Sequence, residues 1–443
     1  MLSEIVVAKF GGSSLADSNQ FKKVKDIVFS NKKRKYIVPS APGKRYKGDE
    51  KITDLLFQCY NSIENKEKFI ETFKIIEDRY IQICNELELD LDILSYCEEI
   101  KNTVYQNKSL DYIVSRGEYL NAIVLAAYLE FKFVDAAEVI VFLEDGKLNF
   151  DETQSRLYKM SLEYDYAVIP GFYGATDKGI VKVFSRGGSD FSGSLVANGV
   201  NASLYENWTD VSGFLKADPR IVDHPRHIEK ITYKELRELS YMGASVLHED
   251  AVFPVKKSKI PIQIRNTNSP MDEGTLILSD FESPKYPKTI TGIAGKKDFT
   301  VIAIEKMLMN EEKGFLRKLL SIIEDNDISV EHIPSGIDSV SLIISDEELR
   351  NKLDKVTEEI RTKLNPDSVE VYPNMAFMAV VGKGMIRTRG ISARLFTALK
   401  EQQINVRMIS QGSSEINIII GIENEDFESA VNAVYYAFEQ ANI

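Results

Sequence analysis

From residue 5 to about 280 the chain alternates short β-rich runs with helical stretches, and this alternation constrains the fold more than any other feature. The runs include IVVAKF, YIVPS, YAVIPGFY and VNASLYEN, with a helix predicted from about Asn19 to Ser30 between the first two. Strands separated by helices run parallel because each crossover returns the chain to the same end of the sheet, so an α/β domain follows: a mainly parallel sheet sandwiched by helices. Between Thr53 and Lys108 the period changes, and Phe69, Phe73, Ile76 and Tyr80 recur at helical spacing. That block reads as a helical excursion on the sheet domain.

A second architecture begins beyond residues 280–289, DFESPKYPKT, where two prolines stand among polar and charged residues. Gly314-Phe315-Leu316 through Ile328-Ser329-Val330 overlay Gly390-Ile391-Ser392 through Ile404-Asn405-Val406 at a constant offset, 390 − 314 = 76, which Val340 and Ile416 keep. This is an internal repeat. Leu316, Leu319, Leu320 and Ile323 form one apolar helical face in the first copy, and Leu395, Phe396 and Leu399 form it in the second. Two strand-like runs follow in each copy, then a charged amphipathic helix beginning near Glu347 or Glu425. Each copy reads β-α-β-β-α, a small antiparallel sheet with helices on one face, suited to dimerisation or to ligand binding. The expected organisation is a catalytic domain over 1–282, a linker over 283–298, and two α+β units over 299–368 and 369–443. TGIAGKKDFTVIAI stands where it could lend a strand to the second unit.

Composition works by exclusion. A formal net charge of −12 disfavours nucleic acid, whose phosphates are held by clustered positive surface. An anionic substrate must then be met by local cations and backbone N–H groups. Cys59, Cys84 and Cys97 are odd in number and lack ligand spacing, which suits a reducing compartment. His224 and His227 flank Pro225 without further ligands nearby, so no metal centre is expected there. Met1 to Glu4 lead directly into an apolar strand, and no apolar run approaches the roughly eighteen residues of a membrane span. A cytoplasmic location with no membrane partner is the expectation.

Four segments could carry chemistry. Lys9-Phe10-Gly11-Gly12-Ser13-Ser14 places a glycine pair and hydroxyls between an apolar strand and a helix, where the backbone can approach an anion closely. It fits neither familiar glycine-rich nucleotide signature, and a plain tight turn is the competing explanation. Ser185-Arg186-Gly187-Gly188-Ser189-Asp190 adds an arginine fork for a carboxylate and an aspartate for Mg²⁺ or for orienting a reacting group. Ser115-Arg116-Gly117-Glu118 opens an apolar helical segment, with Glu118 either functional or a residue near a helix start. Trp208-Thr209-Asp210-Val211 and Lys216-Ala217-Asp218-Pro219-Arg220 follow the strand LYEN, as a nucleoside-reading loop or a polar turn.

VAKFGGSSLA, SRGE, SRGGSDFSGSLVA, WTDVSGFLKADPRIV, MGASVLHEDAV and IPIQIRNTNSPMDEGTLI resemble, in order and approximate spacing, the aspartate kinases of the amino-acid kinase fold. The doubled tail resembles their paired ACT domains. The resemblance implies ATP-dependent phosphorylation of the side-chain carboxylate of L-aspartate, the first step toward lysine, threonine and methionine. It implies that Lys9 meets the transferred phosphoryl group, that Gly11, Gly12 and Ser13 cradle it, and that Asp190 organises Lys9 or Mg²⁺. Arg186 would clamp the substrate α-carboxylate, Glu118 its α-ammonium, and Ser40 and Ser189 would hydrogen-bond nearby. Thr209, Asp210, Lys216, Asp218, Arg220 and Arg265 would hold the nucleotide. Asn268 stands where some members carry a phosphate-contacting lysine, with Arg265 just upstream; Asn268 cannot neutralise charge, and other members share the R-N-T pattern, so the departure bears on that one contact alone.

The first ACT unit resembles lysine-sensitive members through Met309, Gly314, Phe315, Leu316, Ser329, Val330 and Glu331. Lysine is the implied effector and threonine a second or joint one. ACT units pair across chains, so a homodimer or dimer of dimers is implied. Two rivals remain at this point. One is a kinase of glutamate or acetylglutamate, whose families lack the paired tail. The other is a non-catalytic amino-acid sensor, against which intact Lys9, Glu118, Arg186 and Asp190 argue.

Overall fold

The computed structural model describes residues 4–185, 187–244, 252–279 and 289–439. The chain divides into two compact units, one of Met1–Phe214, His227–Leu236 and Ser245–Ser283, the other of Leu215–Arg226, Arg237–Ala244 and Pro284–Ile443.

The first unit is built on strands β1 (Val6–Phe10), β2 (Arg34–Pro39), β3 (Lys132–Phe133), β4 (Val141–Phe142), β5 (Ala167–Val168), β6 (Tyr173–Thr176), β7 (Val181–Val183), β8 (Leu204–Thr209), β9 (Lys230–Thr232), β10 (Ile262–Asn266) and β11 (Thr275–Leu278). Eight of them form one sheet in the order β3-β5-β2-β1-β8-β10-β11-β9. Every pair in it is parallel except β10 with β11. A smaller sheet, β4-β6-β7, stands apart. All five residues of β1 are buried, as a central strand with helices on both faces requires.

Helix α1 (Ser18–Phe29) follows β1 and buries Phe21, Val24, Ile27 and Val28, a single apolar stripe. Asp17 caps it, accepting from the Gln20 amide at 3.0 Å. The helical excursion comprises α2 (Ile52–Asn61), α3 (Lys66–Glu86) and α4 (Ile93–Asn107). Phe69, Phe73, Ile76 and Tyr80 join one core with residues of α5 (Leu110–Leu129). Helix α5 is apolar nearly all round and therefore buried nearly all round. Ser109 caps it, so Glu118 lies mid-helix, and the alternative of a residue near a helix start is corrected. Helices α6 (Ala136–Val139), α7 (Phe150–Glu163), α8 (Gly188–Gly199) and α10 (Phe253–Lys257) complete the α-β alternation, while α9 (Tyr233–Tyr241) belongs to the second unit from Arg237 onward.

The second unit holds β12 (Gly292–Glu305), β13 (Ser339–Ser345), β14 (Ser368–Val381), β15 (Met408–Ser410) and β16 (Asn417–Glu423) in one antiparallel sheet of order β13-β12-β14-β16-β15. Its helices are α11 (Phe315–Asp325), α12 (Asp346–Leu349), α13 (Leu353–Leu364), α14 (Ile391–Glu401) and α15 (Phe427–Glu439). The repeat is real: α11 and α14 keep the offset, 391 − 315 = 76. The following strands do not. Ile302 pairs with Leu342 and its counterpart Met378 with Ile420, so the offset there is 420 − 342 = 78 and Val340 corresponds to Ile418 rather than Ile416.

Residues expected as linker over 283–298 are strand from Gly292 onward; 280–288 lie outside the described residues. The reason is hydrogen bonding. Gly292 to Lys296 pair with Val381 to Phe377, and Phe299 to Glu305 pair with the other half of β14 and with β13. One long strand thus serves both copies, and its first half is the strand lent to the second.

Candidate active site

Strands β2, β1 and β8 lie side by side and parallel, with Lys9 level with Val38 on one flank and Asn207 on the other. Their C-terminal ends, where α/β sheets bind ligands, carry the glycine turn. The Gly11 amide donates to the Trp208 carbonyl at 2.9 Å, and the Gly43 amide donates to the Gly12 carbonyl at 2.8 Å. A Cβ on Gly12 would stand 2.8 Å from the Ala41 oxygen, and one on Gly43 would stand 2.7 Å from the Gly12 carbonyl carbon. Two backbones therefore interlock where side chains cannot fit. Ser14 and Thr267 hydroxyls meet at 2.7 Å, tying the loop after β10 to the same turn.

The second glycine turn reaches the first. Gly187 has φ of 73°, a left-handed conformation that starts α8, and Asp190 falls in the first helical turn. Its carboxylate lies 2.6 Å from the Lys9 ammonium and accepts from the Asn207 amide at 3.0 Å. Tyr205 donates to the Asp190 carbonyl at 3.1 Å. Lys9 is thus held by a carboxylate that Asn207 fixes, on a residue whose backbone Tyr205 fixes. Arg186 lies outside the described residues.

Glu118 is buried, and burial pushes its carboxyl from 4.5 up to about 7, opposed by hydrogen bonds from the Ala41 and Glu118 backbones and the Ser189 hydroxyl and by the charge of Lys9. Its Oε2 has no hydrogen-bond partner. A buried, half-satisfied carboxyl with a perturbed pKa marks Glu118 as a candidate functional group. The Ser40 amide donates to the Phe10 carbonyl at 3.0 Å, and its carbonyl accepts from Asn121 at 2.6 Å. The excursion stands behind this site, with the Tyr80 hydroxyl on the Gly117 carbonyl at 2.7 Å.

The structure therefore brings Lys9, Gly11, Gly12, Ser189, Asp190 and Glu118 together. Ser13 follows in the same turn, and Thr209 ends β8 with its hydroxyl 3.1 Å from the Asp210 carboxylate. Arg265 lies against the Trp208 ring at 4.7 Å and donates to the Pro270 and Asp272 carbonyls, organising that loop. Lys216, Asp218 and Arg220 fall in a segment of the second unit. There the Lys216 ammonium is buried on Glu439, while Asp218 and Arg220 pair with each other at the surface. The sequence reading missed Asn207 and Gly43. Their signal was positional: Asn207 is recognisable only once β8 is in register with β1.

In the second unit Met309, Phe315 and Ile328 share one core, Val330 packs on it, and Leu316 is exposed. Gly314 caps α11 with φ of 81°. The Ser329 amide donates to Glu348 at 3.3 Å, and the Tyr241 hydroxyl bonds Glu331, which with burial raises its pKa. A groove of about 580 Å³ beside them is lined by Leu320, Glu324, Asp327, Ser329, Val330 and Glu348.

Residues 4–266 match the amino acid kinase family and residues 378–438 an ACT domain. The chain is 39% identical to Aspartokinase 3 of Bacillus subtilis over 98% of each chain. The crystal structure of Clostridium acetobutylicum aspartate kinase matches with TM-score 0.93 and 58% identity, covering 99% of this chain and 100% of that one. E. coli aspartokinase III, 26% identical and covering 98% of this chain and 99% of its own, matches at TM-score 0.73 in complex with aspartate and ADP and 0.76 in complex with lysine and aspartate. The chain belongs to the amino acid kinase family and, within it, to the aspartokinases.

Proposed function

We propose that this chain transfers the terminal phosphoryl group of ATP to the side-chain carboxylate of L-aspartate, under control of an amino acid bound to its second unit. The observation that carries the reading is the 2.6 Å Lys9–Asp190 pair, which joins both glycine turns at the C-terminal ends of parallel strands. The E. coli relative binds aspartate and ADP together, and lysine with aspartate, which supports the substrates and the effector.

The acceptor carboxylate is ionised at neutral pH, so no base is needed to make the nucleophile. What the protein must supply is alignment and positive charge for a loose, anionic transition state. Lys9 faces the transferred group, and Gly11, Gly12 and Ser13 offer backbone donors. Asp190 and Asn207 position Lys9. Glu118, once ionised, takes the α-ammonium; Ser40, Ser189 and Arg186 take the α-carboxylate. Mg²⁺ commonly binds through one carboxylate, phosphates and water, and the donors here fit that mode. No cluster of three acidic, His or Cys groups occurs among the described residues, whereas Asp190 and Asp210 each offer one carboxylate. Mg²⁺ held there would neutralise phosphate charge.

Thr209, Asp210 and Arg265 remain the nucleotide contacts of this reading. The acidic groove beside Ser329 and Val330 suits a cationic amino acid, which favours lysine, with threonine as a second effector; it lies by the C-terminal end of α11, and Met309, Gly314, Phe315, Leu316 and Glu331 do not line it. Strands β13 and β15 end the five-stranded sheet, and such edges favour a homodimer or dimer of dimers. Three buried thiols suit the cytoplasm. No helix among the described residues is long and apolar enough to cross a membrane.

An ADP-release assay across aspartate, glutamate and N-acetylglutamate tests the reaction. We expect turnover with aspartate alone, and a fall in kcat of about 10²- to 10³-fold in Lys9→Ala, as for loss of one preorganised donor. Equal turnover with glutamate, or a Lys9→Ala variant at parental rate, would overturn it. Titration with lysine and threonine, singly and paired, tests the effector, and insensitivity to both would remove that part.

A further inference from the structure

The Lys9 charge at the glycine turn is already answered by Asp190, and the whole chain is acidic at −12. A polyanionic nucleotide entering here needs another cation whose charge is not spent. Lys23 is that cation. It is exposed in the second turn of α1, and no ion pair among the described residues involves it. Its ammonium donates instead to a neutral oxygen, Asn268 Oδ1, at 2.8 Å. Long side chains on a helix lean toward its N-terminus, here the end nearest the glycine turn.

The position is built. Gln20 Nε2 donates to the same Asn268 oxygen at 3.1 Å, and Gln20 Oε1 is buried without a hydrogen-bond partner. The Asn268 amide donates to the Asn266 side chain at 2.9 Å, and Asn266 donates to Ser212 at 3.0 Å. Thr267 joins the Ser14 hydroxyl on one side, and its amide donates to the Thr209 carbonyl at 2.9 Å on the other. The loop that holds Lys23 is thus fastened both to the glycine turn and to the end of β8. Asn268 itself brings no charge.

We propose that Lys23 is a ligand of the nucleotide's phosphates, held ready by Asn268 and Gln20 as positioning residues. This rests on the reading of the glycine turn as the phosphate site. A phosphate oxygen replaces a neutral amide oxygen as the ammonium's acceptor, converting a hydrogen bond with one charged partner into an ion pair with two.

Equilibrium binding of ATP, ADP and adenosine to the full chain, with steady-state kinetics alongside, tests it. We expect Lys23→Met to weaken ATP binding and raise the ATP KM about tenfold or more, the effect of losing one charged contact. Adenosine affinity and the aspartate KM should not move, Lys23→Arg should retain affinity, and Asn268→Lys added to Lys23→Met should restore it. ATP affinity within twofold of the parent, or an equal loss for adenosine, would overturn the proposal. The binding measurements read Lys23 whatever the acceptor proves to be, whereas failure of the parent chain to phosphorylate aspartate would strike only the reaction assigned above.

Discussion

Glu118 is the residue whose chemistry the fold alters most. Its folded pKa of about 7 lies above the ordinary 4.5, so between those values the folded chain holds a proton that the unfolded chain has released. Its contribution to stability is therefore fully present below about 4.5 and is lost as pH rises through about 7. An α-ammonium needs the ionised form, and aspartate itself does not titrate near pH 7. We therefore expect aspartate affinity to rise about tenfold per pH unit below 7 and to level off above it, with a proton released on binding at pH 6. Calorimetry in two buffers of different ionisation enthalpy would show the release, and an aspartate KM flat from pH 6 to 8 would count against it. Glu118→Gln should flatten the pH dependence of Tm across this window. The SRGE motif made Glu118 visible in the sequence, but its burial was not, because that depends on α3 packing behind α5.

The glycine turns show what an element can and cannot announce. That Gly11-Gly12 follow a strand and precede a helix was legible, and so were the parallel sheet, the excursion and the repeat. The partner of Gly12 was not, since Gly43 sits 31 residues away in an unremarkable loop. Gly12→Ala would drive a methyl to 2.8 Å from the Ala41 oxygen, a clash with backbone that no rotamer relieves. We expect about 1–3 kcal/mol of lost stability, together with loss of the protection that ADP gives against thermal unfolding. A Gly12→Ala protein with parental Tm and parental ADP shift would show that the loops part easily. The lent half of β12 was legible as the run TGIAGKKDFTVIAI, but its register was not, for a related reason. Strand pairing over distances such as Gly295 to Met378 leaves no local periodicity, only the compatible apolar run that was noticed.

For the whole molecule, the division into units does not follow chain order, because Leu215–Arg226 packs with the second unit. The Ile293 amide donates to the Lys216 carbonyl at 2.7 Å, and Ala217 and Val222 enter the core formed with α14 and α15. Lys216 reaches Glu439, 223 residues on, with Arg226 at 2.9 Å from the other carboxylate oxygen. Nothing in the motif WTDVSGFLKADPRIV distinguishes a lysine for nucleotide from one for an ion pair, so this partner could not be read in advance. The side chains of Lys216 and Glu439 are 5% and 8% exposed, so removing one charge strands the other away from water. We expect Glu439→Gln to cost about 3–5 kcal/mol in denaturant unfolding. Replacing both, as Lys216→Met with Glu439→Leu, should recover most of it, because the penalty comes from the unpaired charge rather than from the missing pair. A Glu439→Gln chain that unfolds at the parental midpoint would mean that water reaches the pair.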